Sequence, residues 1–424
     1  MASIDFAKKS VEAKGIIGGN KMKYVIILGD GMADEPIAQL GGKTPLEYAK
    51  TPVMDALSAV SEIGMARTVP VGMKPGSDTA NLAVLGYNPR QYYTGRSPLE
   101  ALSIGVDMKP TDIALRCNIV TISEEEGIPF EERTIIDHSS GEISTEDAAV
   151  LIHAVKEVFG NETYQFYVGT SYRHLLIWNQ GQVVELAQPH DHLTEVIGPH
   201  LPSDPVLYDM MKRSYDILNN HPINVARAKA GLNKANCLWF WGAGTRPALD
   251  DFTGKTGLKG AMISAVDLLK GIAIGAEMKV VEVEGANGGL HTNYEGKAAA
   301  GVKVLLEDGC DFVYIHVEAP DEMGHQGSVE RKVQAIENLD SRVIAPVKAG
   351  LDAAGVPYRM LIMPDHPTPI RCRTHTPNPV PYLLYDSTKP VNNGGLIYCE
   401  KDGEKSGILV EDGYRMTEKL FQKD

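Results

Sequence analysis

The chain has 424 residues, 43% of them hydrophobic and 23% charged, and its formal net charge is −14 at pH 7. This length and composition exclude wholesale disorder and are sufficient for one or two buried cores. The acidic charge, without a basic stripe, argues against a nucleic-acid partner. It allows a small phosphorylated substrate, which a local cluster of cations can attract.

The first part of the chain begins with an extension that precedes a strong strand signal. Residues 1–21 contain no signal-peptide core, and we interpret them as an N-terminal extension. Residues 24–28 form an apolar run rich in β-branched side chains, which predicts a strand buried on both faces. A cap followed by proline predicts a helix over residues 51–60.

The remaining predicted elements differ between the middle of the chain and its end. Alternating patterns predict short strands at residues 113–122, 165–168, 174–178 and 182–186. Apolar spacing near three and four residues then predicts helices at residues 259–276 and 329–349. Apolar runs predict further buried strands at residues 312–317 and 359–363. We therefore predict an α/β fold whose core, residues 22–106 and 256–424, is interrupted by a smaller inserted α+β domain at residues 107–255.

Carboxylates and histidines follow three of the predicted buried strands. With one histidine slightly further on, these residues are Asp30, Asp321, His325, Asp365, His366 and His375. In open α/β sheets the ligand site lies beyond the carboxyl ends of the strands, so we expect these side chains to meet. Carboxylates and imidazoles suit divalent ions such as Mn²⁺, Mg²⁺ and Zn²⁺. Any one of them alone is more often a surface residue or a turn, and the hypothesis depends on their coincidence.

Ser77 is the candidate nucleophile, in the segment PGSDTAN at residues 75–81. Gly76 permits a tight turn, and a serine at a helix N-terminus has a developing oxyanion favoured by free N–H groups. Coordination to a divalent ion would lower the pKa of its hydroxyl and orient it for attack. The alternative is that Ser77 only caps the helix. With Ser77 the ligand set reaches seven groups, enough for two ions.

Other functional classes lack their signatures. The five cysteines form no C-x-x-C pair, which favours reduced thiols and a cytoplasmic protein; they are Cys117, Cys237, Cys310, Cys372 and Cys399. No apolar run reaches the ~18–20 residues of a membrane helix, so we expect no membrane partner. There is no P-loop, G-x-S-x-G elbow or dinucleotide fingerprint. The glycine-rich residues 285–289 follow a predicted strand at residues 279–284. They are a weak indication of a phosphate-binding loop, and an ordinary strand-to-helix turn is the favoured interpretation.

The sequence resembles the archaeal-type cofactor-independent phosphoglycerate mutases of the alkaline phosphatase superfamily. The resemblance covers nearly the whole chain from Met22. It rests on the segments ILGDGMAD (27–34), PGSDTANLAVLGYNP (75–89), YYTGRSPLEA (92–101), EAPDEMGHQG (318–327), MPDHPTP (363–369) and RTHTPNPVPY (373–382). It implies an alkaline-phosphatase-like three-layer core with a central, mostly parallel sheet. It also implies a metal-dependent isomerase that interconverts 3- and 2-phosphoglycerate.

The resemblance implies specific roles for the candidate ligands. One ion would be held by Asp30, Ser77, Asp365 and His366, and the other by Asp321, His325 and His375. Ser77 would become phosphorylated during the reaction. Mn²⁺ is the expected metal, with Mg²⁺, Zn²⁺ or Co²⁺ as alternatives.

The glycerate must stay bound while it turns over, so the inserted domain is expected to close over the metals. It should supply cations and hydrogen-bond donors for the carboxylate, since Arg favours bidentate contacts. The candidate substrate-binding residues are Arg116, His138, Arg173, His174, His190, Asp191, Arg227 and Lys270. Each of these is otherwise an ordinary surface residue.

Two positions depart from the family pattern. Asn81 stands where these mutases commonly have His, and Trp241 stands before Gly-Ala-Gly where they commonly have Arg. Both features are similar to a subgroup proposed to phosphorylate homoserine. A related phosphotransferase with another small acceptor is therefore one alternative, and a non-catalytic metal-binding module is another. The sequence gives no indication of the oligomeric state.

Overall fold

The structure is a computed structural model that describes residues 21–422. The proposed extension, residues 1–21, lies outside the described residues except for Lys21. Within the described part the strands are β1 Lys23–Gly29, β2 Glu62–Ala66, β3 Asp112–Ile122, β4 Ile135–Asp137, β5 Tyr164–Thr170, β6 Arg173–Asn179, β7 Cys237–Thr245, β8 Gly260–Ile263, β9 Lys279–Val280, β10 Phe312–Val317, β11 Tyr358–Met363, β12 Val380–Asp386 and β13 Leu409–Val410.

The main sheet has eight strands in the order β13-β2-β12-β11-β1-β10-β8-β9 among the described residues. β1 lies between β10 and β11 and is parallel to both. The pairs β10–β8, β8–β9 and β13–β2 are also parallel, whereas β12 is antiparallel to both of its neighbours. The predicted mostly parallel sheet is therefore confirmed. The antiparallel β12 makes it a mixed sheet.

Side chains of the central strands alternate between two cores because successive residues of a strand point to opposite faces. Val25 and Ile27 of β1 belong to one core cluster, with residues of the helices that follow β9 and β10. Ile26 and Leu28 belong to the other, on the opposite face. All four side chains are completely buried. The main sheet is thus the middle of three layers, which explains why its central strands read as continuous apolar runs.

The helices cover these two faces and the second sheet. Their bounds are Pro45–Tyr48, Pro52–Ser58, Ser77–Val84, Pro89–Tyr92, Arg96–Ser103, Thr145–Phe159, Pro205–Leu218, Pro222–Lys229, Phe252–Thr256, Asp267–Gly275, Tyr294–Leu306, Ala319–His325, Val329–Leu339, Ala345–Ala354, Glu400–Lys405 and Met416–Phe421. A π-helical segment, Asp340–Ile344, joins two of them into one long helix where the sequence predicted residues 329–349. In the stretch from residue 21 to 422, no helix is both long and apolar enough to cross a membrane.

The predicted helix over residues 259–276 was wrong in its first part. Gly260–Ile263 is the parallel strand β8, and the helix begins only at Asp267. A short apolar run is compatible with a helix or with a strand, and residues 260–263 form a strand because they pair with β10. The predicted strand at residues 279–284 is also shorter than expected, because β9 ends at Val280.

A second sheet of five antiparallel strands is formed by residues between β2 and β8 of the main sheet. β3 is its central strand and pairs with β4, β6 and β7, and β5 pairs with β6. Helices Thr145–Phe159 and Pro205–Leu218 contribute to its core. The predicted strands at residues 113–122, 165–168 and 174–178 are confirmed. The one at residues 182–186 was wrong: this segment is irregular and lies outside both sheets.

Candidate metal centre and adjoining cleft

The carboxyl ends of three neighbouring strands carry the predicted ligands to one place. In the register of the main sheet Gly29 lies beside Val317, and Leu28 lies beside Met363. The chain after each strand therefore starts at the same edge. Two groups of side chains have ligand atoms within 4.8 Å of one another: Asp30, Asp365 and His366 in one, and Asp321, His366 and His375 in the other. The structure thus brings together the residues that the sequence pattern selected.

The first group reaches the hydroxyl of Ser77 through His366. Nε2 of His366 lies 3.1 Å from Ser77 Oγ, 3.3 Å from Asp365 Oδ2 and 3.6 Å from Asp30 Oδ1. Ser77 is the first residue of the helix Ser77–Val84, and its N-cap is Gly76. The hydroxyl of Ser77 therefore contacts His366 as well as standing at the helix N-terminus. This contact favours the nucleophile hypothesis over a role in capping alone.

Asp321 of the second group lies in the helix Ala319–His325, and His325 at the end of that helix lies beside it. One helical turn separates Asp321 from His325, so that His325 Nε2 lies 3.1 Å from Asp321 Oδ2. His375, from the loop after β11, lies 3.6 Å from Asp321 Oδ1 and 3.1 Å from His325 Nε2. The backbone carbonyl of Arg373 is 2.9 Å from Nδ1 of His325 and orients its ring.

The charges of the two groups are strongly coupled. Burial raises the pKa of Asp30 well above its ordinary value, and the carboxylates of Asp365 and Asp321 act in the same direction. Burial also acts to raise the pKa of Asp321, but hydrogen bonds from His325 and His375 hold it well below its ordinary range. Burial lowers the pKa of His366, which favours the neutral imidazole that a metal ion requires.

The donor set fits divalent ions. Oδ1 of Asp30 is buried and has no hydrogen-bond partner among the described residues, although buried polar atoms are almost always paired. It lies on the side of His366, within the first group. Carboxylate and imidazole donors, together with a serine hydroxyl, are ligands of Mn²⁺ and Zn²⁺. A cation between these groups would satisfy the orphan oxygen and offset the repulsion between Asp30 and Asp365.

Asn81, one of the two departures from the family pattern, lies behind the centre rather than in front of it. It is completely buried. Its Nδ2 donates to Asp365 Oδ2 and to the carbonyl oxygen of Ser77, each at 2.8 Å, and its Oδ1 accepts from the hydroxyl of Tyr314. Asn81 therefore positions a candidate ligand and the first turn of the helix that bears Ser77. Its side chain lines neither of the two cavities described below, so this position gives no support to a phosphotransferase with another acceptor.

His316 is a positioning residue that the sequence interpretation missed. It is completely buried in β10, and its Nε2 lies 2.8 Å from Asp30 Oδ2 while its Nδ1 lies 3.1 Å from Ser264 Oγ. These two contacts fix the ring and the Asp30 carboxylate. The missed signal was a single histidine in an otherwise apolar strand.

A cleft of about 800 Å³ opens in front of the centre. Gly76, His325 and His375 line it from the main sheet, and His190, Asp191 and Trp241 are among the residues that line it from the side of the second sheet. His190 and Trp241 pack edge to face, with ring centroids 5.4 Å apart. Burial lowers the pKa of His190, and neighbouring His138 acts in the same direction. Trp241, the second departure, is thus a wall of the cleft.

Next to this cleft is a second cavity of about 400 Å³, which we call the arginine cavity. It is lined by Arg96, Arg116, Arg173 and His174 together with several carboxylates. Nε of Arg116 lies 3.0 Å from Glu100 Oε2, but in a geometry that leaves it without a hydrogen bond in the described part of the chain. Burial lowers the pKa of Arg116 to about 10, and Arg96 and Arg173 contribute to this. The group therefore stays charged and is available to an anion.

Arg96 is a further residue that the sequence interpretation missed, although its segment was part of the family resemblance. It lines both the cleft and the arginine cavity and forms an ion pair with Glu100 at 3.0 Å. The loop of residues 286–288 also lines the arginine cavity. For this glycine-rich segment an ordinary turn was the favoured interpretation and a phosphate-binding loop the weaker one.

Three predicted substrate-binding residues have other surroundings. Arg227 is buried, and its guanidinium donates to the carbonyl oxygens of Ser140 and Asn233. Lys270 pairs with Glu282 at 2.9 Å. Neither lines the cleft or the arginine cavity. His138 lies behind His190, with ring centroids 6.0 Å apart. The structure does not support the expected substrate contacts of Arg227 and Lys270. Backbone carbonyls accept hydrogen bonds from Arg227, and the surface carboxylate of Glu282 pairs with Lys270.

Comparisons with known proteins show the family of the chain. Residues 59–224 match the family model described as 2,3-bisphosphoglycerate-independent phosphoglycerate mutase. A protein of Geobacter sulfurreducens named probable 2,3-bisphosphoglycerate-independent phosphoglycerate mutase is 47% identical over 408 residues, which are 95% of this chain and 100% of the relative. The chain belongs to this family.

Two solved structures share the fold. A protein from Pyrococcus horikoshii superposes with a TM-score of 0.77 at 28% identity. The cofactor-independent phosphoglycerate mutase of Thermoplasma acidophilum superposes with a TM-score of 0.62 at 25% identity. Each comparison covers 95% of this chain and 99% of the other. The described arrangement of both sheets is therefore that of the family over almost its full length.

Proposed function

We propose that this protein interconverts 3- and 2-phosphoglycerate through a phosphoserine at Ser77, without 2,3-bisphosphoglycerate. The observation that carries the proposal is the position of the Ser77 hydroxyl, 3.1 Å from His366 Nε2 and beside a cluster of buried carboxylates. The cleft of about 800 Å³ in front of it is large enough for a small phosphorylated acid. Membership of the family supports the same activity.

Two divalent ions would be held at this centre. Asp30, Ser77, Asp365 and His366 would hold one ion, and Asp321, His325 and His375 the other. Mn²⁺ is the first choice, with Mg²⁺, Zn²⁺ or Co²⁺ as alternatives. When bound, such ions supply charge to balance the phosphoryl oxygens and lower the pKa of a serine hydroxyl.

The reaction would then consist of two in-line displacements at phosphorus. In the first, Ser77 Oγ loses its proton and forms the new P–O bond, while the P–O bond to the substrate oxygen breaks and that oxygen gains a proton. In the second, the other glycerate hydroxyl loses its proton and takes the phosphoryl group, and Ser77 is regenerated. His190 and Asp191 line the cleft and are the candidates for moving these protons. The lowered pKa of His190 favours its neutral form, which can accept a proton.

Retention of glycerate between the two steps requires an anion site near Ser77. Arg116 and Arg173, with Arg96 at the junction of both spaces, are proposed to bind the carboxylate, because guanidinium groups pair well with it. The unit around the second sheet, residues 107–255, would act as an inserted domain that covers the centre. The core, residues 22–106 and 256–424, would be of the alkaline-phosphatase type.

An enolase-coupled assay of the purified, Mn²⁺-loaded protein tests the proposal. Turnover of 3-phosphoglycerate is expected without added 2,3-bisphosphoglycerate, and Ser77→Ala should reduce kcat by ~10⁴-fold or more, because the nucleophile is lost. Ser341→Ala is the matched control: Ser341 is exposed and its hydroxyl contacts only its own helix, at Glu337 O. A wild type that stays inactive with each of the four metals would refute the function, and equal turnover of Ser77→Ala would refute the mechanism.

A further inference from the structure

A third cluster of metal-ligand side chains lies far in sequence from the proposed centre. It consists of His192, Glu195 and His200, in the segment between β6 and the helix Pro205–Leu218. One atom of each residue lies within 4.8 Å of the others, as in the two groups at Ser77. The sequence interpretation selected none of the three, and the proposed phosphoryl transfer does not use them.

Both imidazoles are directed at the same carboxylate oxygen. His192 Nδ1 is 3.1 Å from Glu195 Oε2, and His200 Nε2 is 2.8 Å from it. The two rings are stacked, with centroids 3.7 Å apart and planes inclined by 19°. Ligand atoms in a tetrahedral Zn²⁺ site, with bonds of ~2.0–2.1 Å, stand about 3.3 Å apart. The two distances from the imidazoles to Glu195 Oε2 would therefore need to lengthen by only about half an ångström or less to admit an ion.

The backbone holds this cluster in place. Ile135 N donates to Glu195 O at 3.0 Å, and Thr194 N donates to Ile135 O at 2.8 Å. Ile197 is completely buried, and its N–H donates to Arg133 O at 2.8 Å. Preformed positions lower the entropy that metal binding must overcome. The segment is thus fixed to the chain around β4, on either side of Glu195.

Exposure and donor chemistry narrow the choice of ion. Half of the Glu195 side chain is exposed, whereas those of His192 and His200 are mostly covered, so an ion has access from solvent on one side. Two imidazoles and one carboxylate suit a borderline transition-metal ion far better than Mg²⁺ or Ca²⁺, which prefer all-oxygen sites. Water would complete the fourth position.

We propose that His192, Glu195 and His200 form a separate Zn²⁺ site. His190 and Asp191, which line the cleft, immediately precede it in the chain. An ion at this place would bind together the two ends of residues 192–200 and would limit the motion of the cleft wall. The site differs from the proposed catalytic centre in its ligands and in the sheet to which it is attached.

The test counts Zn²⁺ per chain after equilibrium dialysis of the metal-stripped full-length protein. The wild type should bind one more Zn²⁺ than His200→Gln, and the dissociation constant of that ion should rise by more than the ~10–100-fold typical of lost supporting contacts. The glutamine can still donate a hydrogen bond to Glu195, so folding is expected to be retained. His153→Gln is the control, since His153 is exposed and its Nδ1 contacts only the carbonyl of Ala149 in its own helix. That variant should bind as many ions as the wild type.

A second variant and a second measurement keep the test decisive. If His200→Gln does not fold, Glu195→Gln takes its place, with the same loss of one ion expected. Zn²⁺ should also slow amide hydrogen exchange in residues 190–200 of the wild type but not of the variant. Equal Zn²⁺ counts in wild type and variant would overturn the proposal, because the three groups would then only hydrogen-bond to one another. The difference in count does not depend on whether the centre at Ser77 binds metal.

Discussion

The two walls of the cleft are built in different ways. On the side of the main sheet, most candidate ligands lie within a few residues of the ends of β1, β10 and β11, and parallel pairing brings these ends together. On the side of the second sheet, Arg116 lies in β3, Arg173 and His174 lie in β6, and Trp241 lies in β7. These residues meet only through antiparallel register, with Arg116 beside Trp241 and Leu175. Residues of the first wall are brought together by neighbouring strand ends, and residues of the second wall by the register of antiparallel strands.

This difference explains which site residues could be predicted from the sequence. A ligand-type residue within a few positions of a strand end lies near the site whatever the exact register of the sheet. In an antiparallel sheet, a shift by one residue moves a side chain to the other face. Arg227 and Arg116 are equally charged, yet Arg116 lines the arginine cavity and Arg227 is held by backbone carbonyls. Residues of the first wall can be identified from their side-chain chemistry, whereas residues of the second wall can be identified only from the strand pairing.

Removal of a ligand from the first wall should have the largest effect. His375→Ala should lower kcat and metal affinity by more than ~100-fold, because loss of a direct ligand exceeds the loss of supporting contacts. Metal content after dialysis and the enolase-coupled rate are the measurements. His291→Ala replaces an exposed histidine and should change neither. Full activity of His375→Ala, or of wild type after exhaustive chelation, would show that the first wall holds no essential ion.

Two arginines on the side of the second sheet, Arg116 in the wall and Arg227 outside it, should respond differently to substitution. Arg116→Gln should reduce kcat/KM by ~10–100-fold, the worth of a charged hydrogen bond. Arg227→Gln should leave kcat/KM unchanged and lower the free energy of unfolding by about 1–3 kcal/mol, because buried carbonyls lose their donors. Steady-state kinetics and denaturant unfolding measure the two. The reverse pattern would contradict the assignment of Arg116 to substrate.

Substitution of Asn81 tests whether its hydrogen bond to Asp365 positions a candidate ligand of the first wall. Asn81→Ala leaves Asp365 Oδ2 without its donor, so metal affinity should fall by ~10–100-fold, while KM at saturating metal stays constant. Asn224→Ala is the matched control. Asn224 is also completely buried, and its Nδ2 donates to two backbone carbonyls next to the second sheet. It should destabilise the fold without affecting metal affinity; a changed KM in Asn81→Ala would instead place Asn81 at the substrate.

The last expected effect concerns the stability of the protein at low pH and depends on His174. Burial lowers the pKa of His174 to about 3, and its Nδ1 accepts from Gly169 N. The imidazole of His174 therefore stays neutral in the folded state at pH values below about 6.5, at which the imidazole of the unfolded chain becomes protonated. The stability present above pH 6.5 is lost as the pH falls from 6.5 towards 3, by about 1.4 kcal/mol for each pH unit.

His174→Asn should remove this contribution, so its unfolding free energy should depend less steeply on pH than that of the wild type. His153→Asn, which changes an exposed histidine, should retain the slope of the wild type. Denaturant unfolding between pH 4 and 7 measures the three proteins. Parallel curves for wild type and His174→Asn would mean that this imidazole is protonated in the folded state.

The sequence by itself determined the three central strands of the main sheet, the carboxylates and histidines at their ends, and Ser77. Continuous apolar runs are characteristic of parallel strands buried on both faces, and chemistry at strand ends needs no knowledge of register. Tertiary structure alone decided that residues 260–263 are a strand, since only pairing with β10 separates a short apolar strand from a helix. It also decided that Asn81 and His316 lie behind the ligands, and that Arg116 rather than Arg227 is available to an anion. Each of these depends on contacts between segments distant in the chain, which spacing along the sequence does not encode.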